Sequence, residues 1–271
     1  MDNATDMSVG GENDRWMLLE RQSDEGGFMV VRTRVNDDIH ECARANRITA
    51  VICDIDARHV NDSGMPLCMD ALYDLEDHLI AMVADRAEPG FHTASATGDG
   101  RRTIYFVHAP ELDLAAVVAM VSSDVAVIAC NSHFAFKTYD AFVTPTQLDT
   151  QVDGDRRVIS SLNTHGDDGS IPRKIDFWFY GDRADLEGLA ANLSASGLLI
   201  DHWLEDETGL VLTCDAPANF STFAELTPML LEAAAASGVR YDGWETLVIK
   251  EPESQSNPSF FKRLLVQGKA D

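Results

Sequence analysis

The sequence predicts an α+β protein of two ferredoxin-like domains, each with the element order βαββαβ and an antiparallel sheet. Three observations support this prediction. The 271 residues are enough for two hydrophobic cores. Short strand-like runs alternate with longer segments of helical periodicity, and the same order of elements is found in each half of the chain. A β-hairpin precedes the first domain, and a lead helix precedes the second.

Four segments are predicted along the chain. Residues 1–14 are polar and acidic and are predicted to form a disordered leader. An N-terminal α+β domain follows at 15–145, and a ferredoxin-like domain follows at 146–250. The last segment, 251–271, is predicted to be a polar linker that ends in a short apolar and basic helix.

The elements of the first domain are predicted from alternating runs, turn residues and one apolar stripe. Pro66 suits the first turn of a helix on which Leu72 and Leu79 lie on one side. Gly98-Asp99-Gly100 is typical of a hairpin turn, and no helix follows it, which excludes a phosphate-binding loop. The predicted elements are strands at 16–21, 28–35 and 49–56, a helix at 66–86, two strands within 91–108, a helix at 111–123 and a strand at 125–136.

The elements of the second domain are predicted in the same way. Asp182 is placed to cap a helix, Gly238 ends another helix, and Gly243 indicates a bulge in the last strand. The predicted elements are a lead helix at 146–165, a strand at 173–180, a helix at 183–196, a hairpin of strands at 198–204 and 209–214, a helix at 220–237 and a strand at 239–250.

The composition limits the classes of partner. The formal net charge of −24 argues against direct binding to nucleic acid, because a phosphate backbone is bound by lysine and arginine. It favours a protein partner with a basic surface. The five cysteines show no pattern of a disulfide framework or a zinc site. No signal peptide and no membrane-spanning run is recognised, so the predicted location is the cytoplasm.

Several segments of the second half match a known pattern in order and spacing. They are the strand I-D-F-W-F-Y, the helix start D-R-A-D-L-E, the hairpin end V-L-T-C-D and the closing Y-D-G-W-E-T. With them, residues 146–250 resemble the regulator of ribonuclease E activity B (RraB) family. The resemblance implies a ferredoxin-like, non-enzymatic protein that binds ribonuclease E and restrains its cleavage of RNA. Proteins of that family commonly end in a long acidic tail, whereas the end of this sequence carries F-F-K-R-L-L-V.

The first half resembles a second family. Its matching features are S-G-M-P, the helix pattern L-x-x-L-E-D-x-L at 72–79 and the hairpin pattern G-x-G-x-R-x-x-x-F at 98–106. These resemble a bacterial domain of unknown function that is commonly fused ahead of the regulator-like domain. This resemblance implies no activity.

A candidate binding face is predicted on the second sheet. If Ile175, Phe177 and Phe179 face the helices, alternate residues point to the other side, where tryptophans would lie beside carboxylates. Such a face suits an arginine-rich segment, through cation–π contacts and ion pairs. The alternative is that the first domain, the tail helix or a second copy in a homodimer covers it. The predicted partner-binding residues are Asp176, Trp178, Tyr180, Asp201, Trp203, Asp242 and Trp244.

A second candidate site belongs to a different class of function. Asp54, Asp56, His59 and Asp62 follow the third strand and are candidate metal ligands. The alternatives to a regulator are therefore a metal-dependent enzyme or metal-binding domain that uses Asp54, Asp56 and His59, and a structural homodimer of unknown role. The same Asp-x-Asp pattern is found in phosphotransferases of the haloacid dehalogenase type, but those need a parallel sheet. The sequence favours a regulator with no catalytic site, no cofactor and no metal.

Overall fold

The computed structural model describes residues 15–23, 26–121, 126–130, 133–205 and 208–249. The predicted leader at 1–14 and the predicted linker and helix at 251–271 lie outside these residues. The chain divides into two compact units, Met1–Asp153 (unit 1) and Gly154–Asp271 (unit 2). Both units combine helices with an antiparallel sheet, which confirms the predicted two-domain α+β class. The finer domain boundaries stay predictions.

The described part of unit 1 contains a six-stranded sheet. Its strands are β1 (Arg15–Gln22), β2 (Phe28–Val35), β3 (Arg47–Asp54), β4 (Gly90–Gly98), β5 (Arg101–His108) and β6 (Ala126–Cys130). The order in the sheet is β1-β2-β4-β5-β3-β6, and each neighbouring pair is antiparallel. The part β4-β5-β3-β6 has the predicted ferredoxin-like arrangement, and the predicted hairpin, β1 with β2, extends it beside β4.

The helices in the described part of unit 1 are α1 (Asp37–Ala45), α2 (Met69–Ala84), α3 (Leu114–Val121) and α4 (His133–Val143). Helices α1 and α4 were not predicted from the sequence. Helix α1 starts at Asn36, whose side chain accepts a hydrogen bond from the backbone N–H of Asp38. The strand predicted at 125–136 was too long, because α4 already begins at His133. Tyr139 and Val143, one helical turn apart, are both buried, which explains why this aromatic-rich segment is helical.

Helices cover both faces of the unit 1 sheet. On one face Phe106 packs with Leu79 of α2 and Val117 of α3. On the other face Val107 packs in a separate core with Tyr139 of α4. Neighbouring residues of a strand point to opposite faces, so β5 contributes to both cores. Unit 1 is therefore a three-layer unit.

A buried polar network joins α2 to the sheet of unit 1. The side chains of Glu76 and Arg102 are almost fully buried, and Nη2 of Arg102 lies 2.6 Å from Oε2 of Glu76. Ser95 donates a hydrogen bond of 2.6 Å to the same oxygen. Nε2 of His92 lies 2.7 Å from Oγ of Ser95, in a site closed by aromatic rings. The network therefore supplies the buried carboxylate of Glu76, a residue of α2, with a counter-charge and a hydroxyl donor.

His92 makes the stability of unit 1 depend on acidity. Burial lowers the pKa of His92 from 6.5 to about 4. The unfolded chain therefore binds a proton more readily than the folded chain between these values. We expect the free energy of unfolding to fall by up to about 3 kcal/mol as the pH falls from about 6.5 to about 4.

Urea titrations of the wild type and of His92→Gln over this pH range measure the effect. The variant should lose most of the pH dependence in the upper part of this range, while the remaining slope reports the other titrating groups, including the carboxylates and His108, whose pKa burial also lowers. Equal slopes for the two proteins would contradict the assignment to His92.

The described part of unit 2 contains a four-stranded sheet. The strands are β7 (Arg173–Tyr180), β8 (Leu199–Trp203), β9 (Gly209–Ala216) and β10 (Arg240–Thr246), and the helices are α5 (Gln147–Thr164), α6 (Arg183–Ser194) and α7 (Phe220–Ser237). The boundary between the units falls within α5. The sheet order is β10-β7-β9-β8 and all pairs are antiparallel, which is the predicted ferredoxin-like arrangement.

A single core fills the space between the unit 2 sheet and its helices. Phe177 and Phe179 of β7 are fully buried and pack with Leu189 of α6, Leu230 of α7 and Ile159 of α5. All three helices therefore pack on the same face of the sheet. Within the ranges described above, none of the helices has both the length and the apolar character that crossing a membrane requires.

Candidate protein-binding face

The two faces of the unit 2 sheet differ in what they bury. In β7, Ile175, Phe177 and Phe179 are fully buried against the helices, as the alternation predicts. Trp178 and its neighbours two residues away, Asp176 and Tyr180, are only partly exposed and point to the other side. We call this side, which carries no helix from the described part of unit 2, the open face.

A bulge in β10 moves Trp244 to the helix side. Tyr241 pairs with Phe179 and Gly243 pairs with Trp178, so Asp242 is an extra residue in the register. Trp244 then pairs with Phe177, whose side chain faces the core. The prediction that Trp244 shares the open face is therefore wrong, because an extra residue reverses the alternation beyond it.

Trp244 is fixed in the core of unit 2. It is 8% exposed, and its ring stacks on Phe223 of α7 with 3.9 Å between the centroids. Its Nε1 donates a hydrogen bond of 2.7 Å to Oδ1 of Asp155, and Thr227 donates one of 2.7 Å to the other oxygen. Burial raises the pKa of Asp155, while both hydrogen bonds act against that rise.

A second bulge, in β8, moves Trp203 to the helix side. Ile200 pairs with Leu212 and His202 pairs with Val211, which leaves Asp201 as the extra residue. Trp203 consequently pairs with Leu210 of the core, and the guanidinium of Arg183 lies over its ring at 3.5 Å. The prediction that Trp203 lies on the open face is wrong for the same reason as for Trp244.

The centre of the open face is formed by Trp178 and His202. Their ring centroids are 6.2 Å apart and their planes are nearly perpendicular, at 87°. Val211, which lies between them in the register, is fully buried. His202 was missed by the sequence analysis, because only the bulge at Asp201 turns it toward Trp178.

A charge cluster lies beside these rings. Nζ of Lys174 lies 2.8 Å from Oδ1 of Asp201 and 3.1 Å from Oδ1 of Asp176. The hydrogen bond from Lys174, followed by the one from His202, holds the pKa of Asp201 below its usual range. Asp201 therefore stays ionised well into acidic conditions. Lys174 was not predicted, although its spacing of two residues from Asp176 indicates the same face.

The open face is acidic overall. Arg240 pairs with Asp242 and lies over the ring of Tyr180 at 4.8 Å. Asp215 pairs in register with Lys174, and Glu245 pairs with Asp176, so both belong to the same face. In the described residues, five carboxylates thus share this face with two cations, Lys174 and Arg240, and each cation already contacts a carboxylate of the chain.

The candidate metal ligands of unit 1 are not brought together. Asp56 starts a 3₁₀ turn, Ala57–His59, and accepts hydrogen bonds from the backbone and the guanidinium of Arg58. These bonds lower the pKa of Asp56 to about 2. Asp54 lies 4.0 Å from Nε of Arg101, and His59 and Asp62 are exposed. In the part of the chain described, no group of three potential ligands is arranged to hold a metal ion.

The fold therefore defines unit 2 as a ferredoxin-like domain whose sheet is packed by helices on one side and carries no helix from the described part of the unit on the other side. Residues 153–246 match the family model described as Regulator of ribonuclease activity B (RraB). The match confirms the resemblance stated for the second half of the chain, and it includes all four strands of unit 2. No curated protein matches the chain. The resemblance stated for the first half stays a prediction.

Proposed function

We propose that this chain is a non-enzymatic regulator that binds a basic segment of an RNA-processing endonuclease of the ribonuclease E type. The observation that carries the proposal is that the match to the regulator family covers the unit that bears the acidic open face. The match itself supports a role in regulating ribonuclease activity. The endonuclease type, the basic segment and the face are our proposals.

The binding residues in this proposal differ from those predicted from the sequence. Asp176, Trp178, Tyr180, Asp201 and Asp242 are kept, because they lie on the open face or in its bulge. The two tryptophans on the helix side are left out, since their rings are engaged in the core or by an arginine of the chain.

Charge complementarity provides a mechanism for inhibition. Segments that bind RNA carry lysine and arginine, which replace the counterions of the phosphate backbone. An acidic protein surface offers the same side chains a competing set of carboxylates, and it also accelerates association at low salt. Binding of unit 2 would thus remove a docking segment from RNA without any chemical step.

This mechanism predicts that binding depends strongly on salt. We expect the affinity between the full chain and the captured endonuclease to fall by at least about tenfold when the salt concentration rises from about 50 to about 200 mM. A capture experiment from the host lysate with the full chain as bait identifies the endonuclease, and titrations at several salt concentrations then measure the slope.

Charge reversal locates the binding surface. Asp215→Lys with Glu245→Lys reverses two exposed charges on the open face, whereas Glu225→Lys with Glu232→Lys makes the same change on exposed positions of α7. We expect the first pair to weaken binding and the second pair to leave most of it intact. Equal effects of the two pairs, or an affinity that salt does not change, would contradict binding at the open face.

A further inference from the structure

The four tryptophans of the chain differ in what already contacts their rings. Three of them have a stacked group within the chain. A guanidinium lies over the rings of Trp16 and Trp203, at 4.2 and 3.5 Å, and a phenylalanine ring stacks on Trp244 at 3.9 Å. Within the part of the chain that the structure describes, the ring near Trp178 is that of His202, and the two planes are nearly perpendicular. In the described residues, no guanidinium and no parallel ring lies over Trp178.

The surroundings of Trp178 are suited to a cation. Asp176 lies two residues away on the same strand and the same face. Glu245 pairs with Asp176 across β10, at the separation of neighbouring strands. A positive group over the ring of Trp178 would therefore have within reach the carboxylate of Glu245 and the second oxygen of Asp176, whose Oδ1 lies 3.1 Å from Nζ of Lys174. Aromatic rings attract cations placed over their faces, and tryptophan does so most strongly.

We propose that Trp178, with Asp176 and Glu245, forms the anchor for one arginine side chain of the partner segment. This inference rests on the proposed function and adds the identity of the side chain that is recognised. A guanidinium is planar, so it can stack on the indole while its N–H groups donate to the carboxylates. The ammonium group of lysine is a compact, strongly hydrated charge and cannot make both contacts in the same way.

The chain itself holds guanidinium groups over aromatic rings on both units. Three partly exposed rings are contacted in this way: Arg32 lies on Trp16, Arg183 on Trp203 and Arg240 on Tyr180. The partner's arginine would complete this pattern at Trp178. Anchoring by one stacked side chain in an otherwise electrostatic contact supplies specificity that charge alone does not provide.

Two short peptides of equal charge, hexa-arginine and hexa-lysine, test the anchor. Each is titrated into the full chain at low salt, and binding is measured by calorimetry. The indole N–H signals of the ¹⁵N-labelled protein, assigned with single Trp→Phe variants, show which tryptophan is contacted. We expect the arginine peptide to bind roughly three- to tenfold more tightly and to shift the signal of Trp178.

The variants separate the anchor from general attraction. Trp178→Leu should reduce the affinity for the arginine peptide to that of the lysine peptide, and Trp178→Phe should give an intermediate value. Phe220→Leu is the matched control, because it removes an exposed aromatic ring of unit 2 that lies at the start of α7 and not on the open face. That control should keep the preference for arginine.

Three results would contradict either the arginine anchor at Trp178 or the proposed function. If neither peptide binds at low salt, charge-driven binding fails and the proposed function fails with it. If both bind the wild type equally, the anchor is wrong while the proposed function stands. If Trp178→Leu retains the full preference, the arginine is recognised elsewhere and the anchor is again wrong.

Discussion

Trp244→Ala is expected to lower the free energy of unfolding of unit 2 by about 3–5 kcal/mol. The substitution removes a ring that is 8% exposed and stacked on Phe223. It also removes the indole N–H that donates to Asp155. Of the two side chains that donate to this buried carboxylate, Thr227 then remains. Loss of packing and loss of a donor act in the same direction. Denaturant titration, with hydrogen exchange of the core amides of unit 2, measures the change.

Trp178→Ala is the matched control for this substitution. It removes the same side chain from the next strand of the same sheet, but from the open face. Since Trp178 is partly exposed and makes no stacked contact in the described residues, we expect a loss of about 1 kcal/mol or less. A loss as large as that of Trp244→Ala would contradict the assignment of the two tryptophans to opposite faces.

Arg102→Met is expected to lower the free energy of unfolding of unit 1 by about 3–5 kcal/mol. Arg102 and Glu76 have side chains that are 4% and 2% exposed, and they are paired at 2.6 Å. The variant leaves the carboxylate of Glu76 buried without its counter-charge, with the hydroxyl of Ser95 as its remaining donor in the network. Urea titration with hydrogen exchange of β4 and β5 measures the loss.

A double substitution distinguishes loss of the pair from the cost of an isolated charge. Replacing both partners, with Glu76→Leu and Arg102→Met, should recover most of the stability lost in Arg102→Met. The double variant is then more stable than the single variant, although it lacks both charged groups. If the loss of stability in the double variant equalled the sum of the losses in Glu76→Leu and Arg102→Met, the two charges would contribute independently, and this prediction would be wrong.

The architecture of both units could be predicted because it is encoded in local patterns. The alternation in β7 and the turn at Gly98-Asp99-Gly100 predicted strands and a hairpin at the right places. In the turn, Asp99 and Gly100 have positive φ values of 53° and 69°, as the two central residues of a type I′ hairpin turn require. Helix α4 was missed, because its aromatic start is as typical of a strand as of a helix.

The composition of the open face could be predicted only in part. Alternation correctly placed Asp176, Trp178 and Tyr180, because β7 pairs with β9 without any irregularity and the bulge in its other pairing lies in β10. The bulge in β10 was indicated by Gly243, but the shift that it causes in Trp244 was not carried through. The bulge at Asp201 contains no glycine and leaves no local signal, since it arises from the pairing of β8 with β9. The extra residue in β8 therefore puts His202 on the open face in place of Trp203. The extra residue in β10 puts Trp244 in the core.

The helices on both sides of the unit 1 sheet have a consequence for how the chain can work. The four strands of unit 2 share their order with four strands of unit 1, yet α1 and α4 cover in unit 1 the side of the sheet that carries no helix in the described part of unit 2. A partner of unit 1 would meet helices, loops or strand edges, whereas unit 2 can offer the broad surface of a sheet. The residues proposed to bind a partner on unit 2 therefore have no counterparts on unit 1, and the same order of four strands presents a different surface in each unit.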